Sequence, residues 1–142
     1  MHSRSTRTIT ADSARRVVEA AATAARKAGV PMCIAVTCPS GHLVQFERMD
    51  GAPLLSVEIA INKAYTSVGF GMATHRWHEF IKDDAPLLHG IVHTPRLVTF
   101  GGGYPIVEDG AIIGGLGISG GHYSQDMEVA KKALASVGLP VD

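Results

Sequence analysis

Histidine is the residue type with the clearest chemical potential in this chain. Seven histidines occur among 142 residues, and five of them lie between positions 75 and 122. His75 and His78 are three positions apart, so they share one face of a candidate helix. His89 and His93 would share a face if their segment were helical. A convincing protein-only metal site needs a third ligand, often a carboxylate or thiolate, and we predict no such site.

A haem group makes a smaller demand on the chain, because its iron needs only one or two axial side chains in an apolar wall. The candidate ligands are His75, His78, His89, His93 and His122, with Tyr104, Tyr123 and Met72 as weaker ones. The aromatic residues that could pack on a porphyrin are Phe70, Trp77 and Phe80. Each residue has a structural alternative, since a single histidine is commonly solvated or hydrogen-bonded and a tryptophan commonly belongs to a core.

Glycine is concentrated in one stretch, with nine glycines in the 27 residues 100–126. Glycine allows positive φ and close approach of another group to the main chain, and successive N–H groups can hold an anion. We therefore predict a binding site at Gly101, Gly102, Gly103 and residues 114–121. Gly115, Gly117 and Gly120 also fit the G-x-G-x-x-G pattern, but the chain ends after one more helix and cannot complete the βαβ unit of a dinucleotide-binding fold.

Five motifs in a fixed order carry a resemblance to a known family. They are Arg48-Met49-Asp50-Gly51-Ala52, then Ala60 with Lys63-Ala64, Gly102-Gly103-Tyr104-Pro105-Ile106, Asp109-Gly110 with residues 115–120, and Gln125-Asp126. From about Thr10 onward the chain resembles the GlcG/HbpS family of small haem-binding or haem-degrading domains, also seen as the C-terminal domain of PduO. The resemblance implies a five-stranded antiparallel sheet with flanking helices, and multimers that are often octamers built from dimers.

Arg48, Asp50 and Lys63 occupy positions of the family motif, and we predict that they form a catalytic polar cluster. Asp50 and Gly51 form a turn that could return the carboxylate to the Arg48 guanidinium as a bidentate pair. Lys63 lies among apolar neighbours, where partial burial would lower its pKa and make it a base or a Schiff-base amine. The alternative is a structural ion network. Cys38 stands where many relatives have an aspartate, which puts any function of that carboxylate in doubt.

Two further functions remain open beside haem binding and haem breakdown. In a haem-independent enzyme, Gly101, Gly102 and Gly103 would bind a carboxylate or enolate oxygen through backbone N–H groups. Arg48 or Lys63 would be the cationic partner and a histidine the acid or base. Such a lyase, isomerase or hydrolase would act on a small organic acid. A non-catalytic sensing or assembly module would need none of these residues.

Composition limits the class of protein. The chain is long enough for one core, and 13 basic residues balance 13 acidic ones, so nothing favours nucleic acid or an anionic membrane as a partner. Sparse charge favours burial of some surface against another subunit, and the resemblance implies a homo-oligomer, from a dimer up to an octamer. Residues 1–9 are expected to be a flexible segment without the apolar core of a secretory signal, residues 10–142 a single domain, and the location cytoplasmic. Cys33 and Cys38 are expected to be reduced thiols.

Hydrophobic periodicity and turn residues predict an α+β (α/β) domain with the order α-ββ-α(α)-βββ-α. The predicted helices are residues 10–28, 56–68, a short one from Thr74, and one capped by Ser124. The predicted strands are residues 32–38, 43–49, 97–100, 105–108 and 111–118, and residues 83–94 are predicted to be irregular. Hairpin connections indicate one antiparallel sheet with helices packed on it. This order agrees with the fold that the resemblance implies, a central five-stranded antiparallel sheet in a profilin-like layout.

Overall fold

The computed structural model describes residues 1–141, which form an α+β domain of helices packed on one antiparallel sheet. The helices are α1 (Ala11–Ala28), α2 (Leu55–Phe70), α3 (Arg76–Ile81), α4 (Ala85–Gly90), a 3₁₀ turn (Ile91–His93) and α5 (Tyr123–Ser136). The strands are β1 (Cys33–Thr37), β2 (Leu43–Arg48), β3 (Gly103–Glu108) and β4 (Ala111–Ser119).

The sheet has four strands in the order β2-β1-β4-β3, and every neighbouring pair is antiparallel. The five-stranded expectation is wrong, because residues 97–100 form no strand. The Thr66 hydroxyl of α2 donates to the carbonyl of Arg96 at 3.0 Å and accepts from the N–H of Val98 at 3.0 Å. Helix α2 therefore satisfies backbone groups that a strand would offer to a neighbouring strand.

The two faces of the sheet carry different helices. Ile34 and Val36 of β1 belong to the large core formed with α1 and α5, whereas Cys33 and Ala35 pack with Ala60 and Ala64 of α2. This alternation follows from the two-residue period of a strand. Helices α1 and α5 therefore share one face, and α2 lies on the other.

Glycines of β4 allow α2 to lie close to the sheet. A Cβ at Gly115 would lie 2.5 Å from the carbonyl oxygen of Ala64, and one at Gly117 would collide with the carbonyl of Ala60. Real Cβ atoms do not come so close to other atoms, so neither position accepts a side chain. These glycines were expected to expose backbone for binding, but here they serve helix–sheet packing.

Helix α1 ends as the sequence predicts. The Thr10 hydroxyl accepts from the N–H of Ser13 at 3.1 Å, and Gly29 ends the helix with φ +74°. Such caps satisfy backbone groups that a helix end leaves unpaired. Ile9, just before this cap, is buried and donates its N–H to the carbonyl of Ile113 at 2.8 Å. Core contacts therefore reach into the segment expected to be flexible.

Three other boundaries differ from the predictions. Residues 83–94 are not irregular, because the Asp84 carboxylate accepts from the N–H of Leu87 at 3.3 Å and begins α4. Ser56 is buried inside α2, which starts at Leu55 without a side-chain cap. The cap of α5 is His122 rather than Ser124. No helix in the described part of the chain is long and apolar enough to cross a membrane.

Candidate functional site

Lys63 and Asp126 form a buried ion pair between α2 and the start of α5. The Lys63 Nζ donates to Asp126 Oδ2 at 2.9 Å and to the carbonyl oxygen of Ile118 at 2.8 Å. The second carboxylate oxygen accepts from the N–H of Gly121 at 3.1 Å. The Phe100 ring covers the ammonium, with its centroid 5.1 Å from Nζ. Both charged groups are thus held by hydrogen bonds away from water.

The environment of this pair shifts the pKa of both groups. Burial lowers the pKa of Lys63, and the Asp126 carboxylate acts in the opposite direction. Burial also raises the pKa of Asp126, against the effect of Lys63. The Lys63 side chain is 0% exposed and that of Asp126 is 2% exposed. A substrate carbonyl cannot reach an amine so enclosed, and this geometry favours a structural role over the predicted base or Schiff-base role.

Arg48 and Asp50 lie apart from that pair, in a shallow groove beside Arg26 and Glu47. The Arg48 guanidinium donates to the carbonyl oxygen of Ala52 at 3.0 Å. Across residues 1–141, no ion pair joins Arg48 to Asp50. The expected bidentate pair is therefore wrong, because the main chain of the turn occupies the guanidinium. Lys63 forms its ion pair with Asp126 instead of with Asp50.

Gly101, Gly102 and Gly103 are buried. The N–H of Gly103 donates to the Thr74 hydroxyl at 2.9 Å. Gly102 has φ +122°, and a Cβ there would lie 2.6 Å from Lys63 Nζ. A Cβ at Gly101 would collide with Met127. The geometry therefore opposes the predicted anion-binding role of this tripeptide and explains its glycines by packing around the ion pair.

Tyr104 and His75 lie next to this tripeptide. The Tyr104 side chain is buried in the core, and its ring centroid is 5.6 Å from that of His75. His75 is half-buried. Tyr104 is thus held inside the fold, where a ligand as large as haem does not reach it.

His122 is exposed and stands at the N-terminus of α5 with a defined orientation. Its Nδ1 accepts from the N–H of Ser124 at 3.2 Å and lies 2.8 Å from the Ser124 hydroxyl oxygen. The Gln125 side chain accepts from the N–H of His122 at 3.0 Å and completes a capping box. When Nδ1 accepts from the Ser124 N–H, the proton of a neutral imidazole is on Nε2, and Nε2 can bind a metal only in the other tautomer, in which Nδ1 donates to the Ser124 hydroxyl.

Phe100, His122 and Tyr123 form a surface that we call the aromatic patch. The Tyr123 ring centroid lies 4.1 Å from that of His122 and 6.5 Å from that of Phe100. Phe100 is 44% exposed and Tyr123 47% exposed. The sequence suggested His122 and Tyr123 separately, but their association with Phe100 depends on residues 100 and 123 meeting in space.

The remaining candidates lie on α3, α4 and the turns beside them. His78, His89 and His93 are exposed. Trp77 is buried, and its ring centroid lies 4.9 Å from that of Phe70 and 5.9 Å from that of Phe80. The structural alternative for Trp77 therefore holds. No three His, Cys, Asp or Glu side chains in the described chain are placed to hold a metal ion.

Sequence reasoning missed the role of Asp126. The Gln125-Asp126 pair was noted only as part of the family resemblance, and no role was assigned to it. A single carboxylate near a helix start also suits the helix dipole, so its local sequence does not reveal a buried partner 63 positions away. The sequence carried one signal, because Lys63 and Asp126 both lie in motifs of the same family resemblance.

Comparisons with known proteins agree with this architecture. Residues 9–135 match the profile of the family described as haem degrading protein HbpS-like. The corrinoid adenosyltransferase PduO of Salmonella typhimurium is 38% identical over 125 residues, which are 87% of this chain and 37% of PduO. The chain therefore spans little more than a third of PduO.

Two further matches cover nearly the whole of both proteins. A 15.0 kDa protein from the dhaT-dhaS intergenic region of Citrobacter freundii is 36% identical, over 89% of this chain and 90% of its own length. The crystal structure of a PduOC–haem complex superposes with a TM-score of 0.86 at 34% identity, over 94% of this chain and 97% of the other.

Proposed function

The chain belongs to the HbpS-like family, and from that premise we propose that it binds haem. The observation that carries this proposal is the similarity over nearly full length to PduOC, which was solved as a haem complex. This chain therefore has the same fold as a relative that was crystallised with haem. Haem supplies an iron that takes axial ligands and exchanges electrons.

The aromatic patch fits one face of a haem. A histidine that ligates a metal usually donates its other ring N–H to an oxygen, which orients the ring. In the tautomer that this role requires, the proton is on Nδ1, which then gives up its contact with the Ser124 N–H and donates to the Ser124 hydroxyl oxygen 2.8 Å away, and the Nε2 lone pair is available for iron. We propose His122 as an axial ligand.

Phe100 and Tyr123 supply apolar contact beside His122. Their rings are about half exposed and lie next to His122, so a porphyrin edge resting on them would be removed from water together with the rings. Lys63 and Asp126 lie beneath Phe100 and fix its surroundings rather than contacting the ligand. The other exposed histidines lack a comparable arrangement of oriented ring and aromatic neighbours in residues 1–141.

Haem breakdown is a more specific function that we propose in addition to haem binding. The family description names haem degradation, and an exposed haem at the aromatic patch would be open to a reductant and to oxygen. The haem-independent enzyme is less well supported, because Lys63 is enclosed and the Gly103 N–H is already bonded. A small acid would need a different place to bind in this chain.

We further propose that the chain forms a homo-oligomer through the outer face of α2. The C-terminal half of this helix is flanked by α3 and residues 91–97, whereas its start is exposed. Leu54 and Leu55, at its start, are 72% and 76% exposed, and large side chains so exposed side by side are typical of interaction surfaces. A second copy of the chain is the partner that the family resemblance favours.

A hemin titration of the purified protein tests the function. We expect a saturable, shifted Soret band at about one haem per subunit or per dimer, and ascorbate should bleach it faster than free hemin if haem is degraded. The informative variant is His122→Asn, because asparagine preserves the cap of α5 but not the imidazole. His93→Asn is the matched control on another exposed histidine.

The outcomes separate the parts of the proposal. A weak change that does not saturate in the unaltered protein would contradict haem binding. A normal Soret band in His122→Asn would refute His122 as the axial ligand and leave haem binding intact. A stable band after ascorbate would restrict the function to haem capture.

A further inference from the structure

An apolar cavity of about 240 Å³ lies between α2, α3 and residues 91–97. Aromatic and aliphatic side chains dominate its wall, which includes Tyr65, Thr66, Phe70, Trp77, Ile91 and Leu97. Ligand pockets for drug-sized molecules are larger, about 300–1,000 Å³. The cavity therefore suits one small molecule and cannot enclose a whole haem.

Arg96 lies between two residues of the cavity wall, Pro95 and Leu97, in a strained backbone conformation. Its φ is +68°, a left-handed value that a residue other than glycine adopts rarely and at an energetic cost. The Thr66 hydroxyl holds this conformation by donating to the Arg96 carbonyl at 3.0 Å. It also accepts from the N–H of Val98 at 3.0 Å, so the backbone on both sides of Leu97, the residue after Arg96, is fixed.

The Arg96 side chain is held as firmly as its backbone. Its Cζ lies 3.7 Å from the centroid of the Tyr65 ring, which lines the cavity, and its Nε donates to the Asn62 side-chain oxygen at 3.1 Å. Three residues of one helix, Asn62, Tyr65 and Thr66, thus orient one arginine. Strain combined with so many positioning contacts is typical of functional sites.

The two terminal amino groups of the Arg96 guanidinium remain available to bind a ligand. Stacking uses its face and the Asn62 contact uses Nε, while neither terminal amino group is in an ion pair with a carboxylate of residues 1–141. These two groups form the fork that matches a carboxylate in a bidentate manner. An oriented cationic fork beside an apolar wall is complementary to a small molecule with an apolar body and one carboxylate.

We propose that this cavity binds a small aromatic or aliphatic carboxylic acid, with Arg96 holding the carboxylate and the aromatic wall holding the apolar part. The site is separate from the aromatic patch. Its ligand is distinguished from haem, which also carries carboxylates, by the small volume of the cavity. The inference does not depend on haem binding.

The test uses the fluorescence of Trp77, the single tryptophan of the chain, which lies in the cavity wall. Benzoate is the probe, and benzyl alcohol is the neutral analogue of nearly the same shape. We expect a saturable fluorescence change with benzoate and at least tenfold weaker binding of benzyl alcohol. The proposal is overturned if benzoate gives no saturable change, or if both probes bind equally.

Arg96→Asn removes the guanidinium and keeps a residue that tolerates positive φ. Benzoate binding should weaken at least tenfold in this variant and stay unchanged in the control Arg15→Gln, an exposed arginine of α1. Unchanged binding in Arg96→Asn contradicts the proposal. If that variant fails to fold, Asn62→Ala removes the contact to Nε and should weaken binding several-fold, and unchanged affinity there also overturns it.

A hemin titration distinguishes this inference from the proposed function. Arg96→Asn should bind hemin with the same affinity as the unaltered protein. A parallel loss of hemin and benzoate binding would make Arg96 part of the haem site and refute a separate one. Conversely, benzoate binding in a protein that does not bind hemin would support this inference and refute the proposed function.

Discussion

Asp126 Oδ2 lies 2.9 Å from the Nζ of Lys63, and the two side chains neutralise each other inside the protein. The pair joins α2 on one face of the sheet to the start of α5. Removing one partner from a buried ion pair leaves the other charge without compensation, which costs far more than removing both. Lys63 is therefore better understood through its partner than through its chemical reactivity.

Lys63→Met should destabilise the protein by about 3–5 kcal/mol, because the Asp126 carboxylate would stay buried without its partner. The double variant Lys63→Met/Asp126→Leu should recover part of that loss. Urea unfolding of the two single variants and the double variant measures the coupling. Additive losses would show that the two residues act independently and would contradict the structure.

The stability of the protein should depend on pH through Asp126. Because burial raises the pKa of this carboxyl above its ordinary value of 3.8, the folded protein takes up its proton at a higher pH than the unfolded chain. In the range between the two pKa values, the folded state binds more protons, so this group adds stability as pH falls and loses it as pH rises.

The comparison that isolates this effect is with Asp126→Asn, which cannot titrate at that position. Denaturant unfolding from pH 7 down to about 4, near the ordinary pKa range of aspartate, should show the unaltered protein gaining stability relative to the variant. Parallel curves would mean that the pKa of Asp126 is the same in both states.

Gly117→Ala should destabilise the protein by about 1–3 kcal/mol, because the added methyl would be forced against the Ala60 carbonyl in a packed interior. Gly69→Ala is the matched control. Gly69 lies in α2 with no atom within 4 Å of the added methyl, so alanine there should stabilise by about 0.5–1 kcal/mol. Thermal unfolding of both variants checks the opposite signs.

His122→Ala should cost about 0.5–2 kcal/mol, because it removes the cap of α5. His122→Asn should restore most of that stability, since its side-chain oxygen can accept from the N–H of Ser124. Thermal unfolding in the absence of haem measures both. If asparagine is as unstable as alanine, the capping contact of His122 is not the source of the loss.

Leu55→Glu should dissociate the proposed oligomer, because a charge at the outer start of α2 cannot be buried against a second copy without a partner. Static light scattering of the unaltered protein and the variant gives their masses. Val92→Glu places the same charge on another exposed apolar residue and should leave the mass unchanged. An oligomer that survives Leu55→Glu uses a different surface.

Local chemistry in the sequence was enough to predict the parts of the fold that depend on near neighbours. Thr10 and Gly29 define the ends of α1, and Asp109-Gly110 forms the hairpin between β3 and β4. Residues 97–100 have the composition of a strand, yet the N–H of Val98 donates to the side chain of Thr66, 32 positions away, and that of Leu97 to the carbonyl of Thr94. No local pattern contains that information.

The candidate site shows the same division. Lys63 and His122 could be named from the sequence, because Lys63 lies on a position of the family motif among apolar residues and His122 is one of five candidate histidine ligands. The partner of Lys63 and the aromatic neighbours of His122 come from contacts across the fold. Arg96 gave no signal, since its importance lies in a backbone angle and in three residues of α2. The glycines were noticed, but glycine is expected both where a helix packs closely on a sheet and where a ligand approaches the backbone, so composition does not distinguish the two.

The absence of side chains at Gly115 and Gly117 has a mechanical consequence. No compressible layer separates α2 from β4, because backbone rests almost directly on backbone, and a packed interior transmits displacement instead of absorbing it. The helix and the strand must therefore shift as one body. β4 runs directly into the turn that presents His122, so pressure applied to the outer side of α2 would be felt at the far end of the strand.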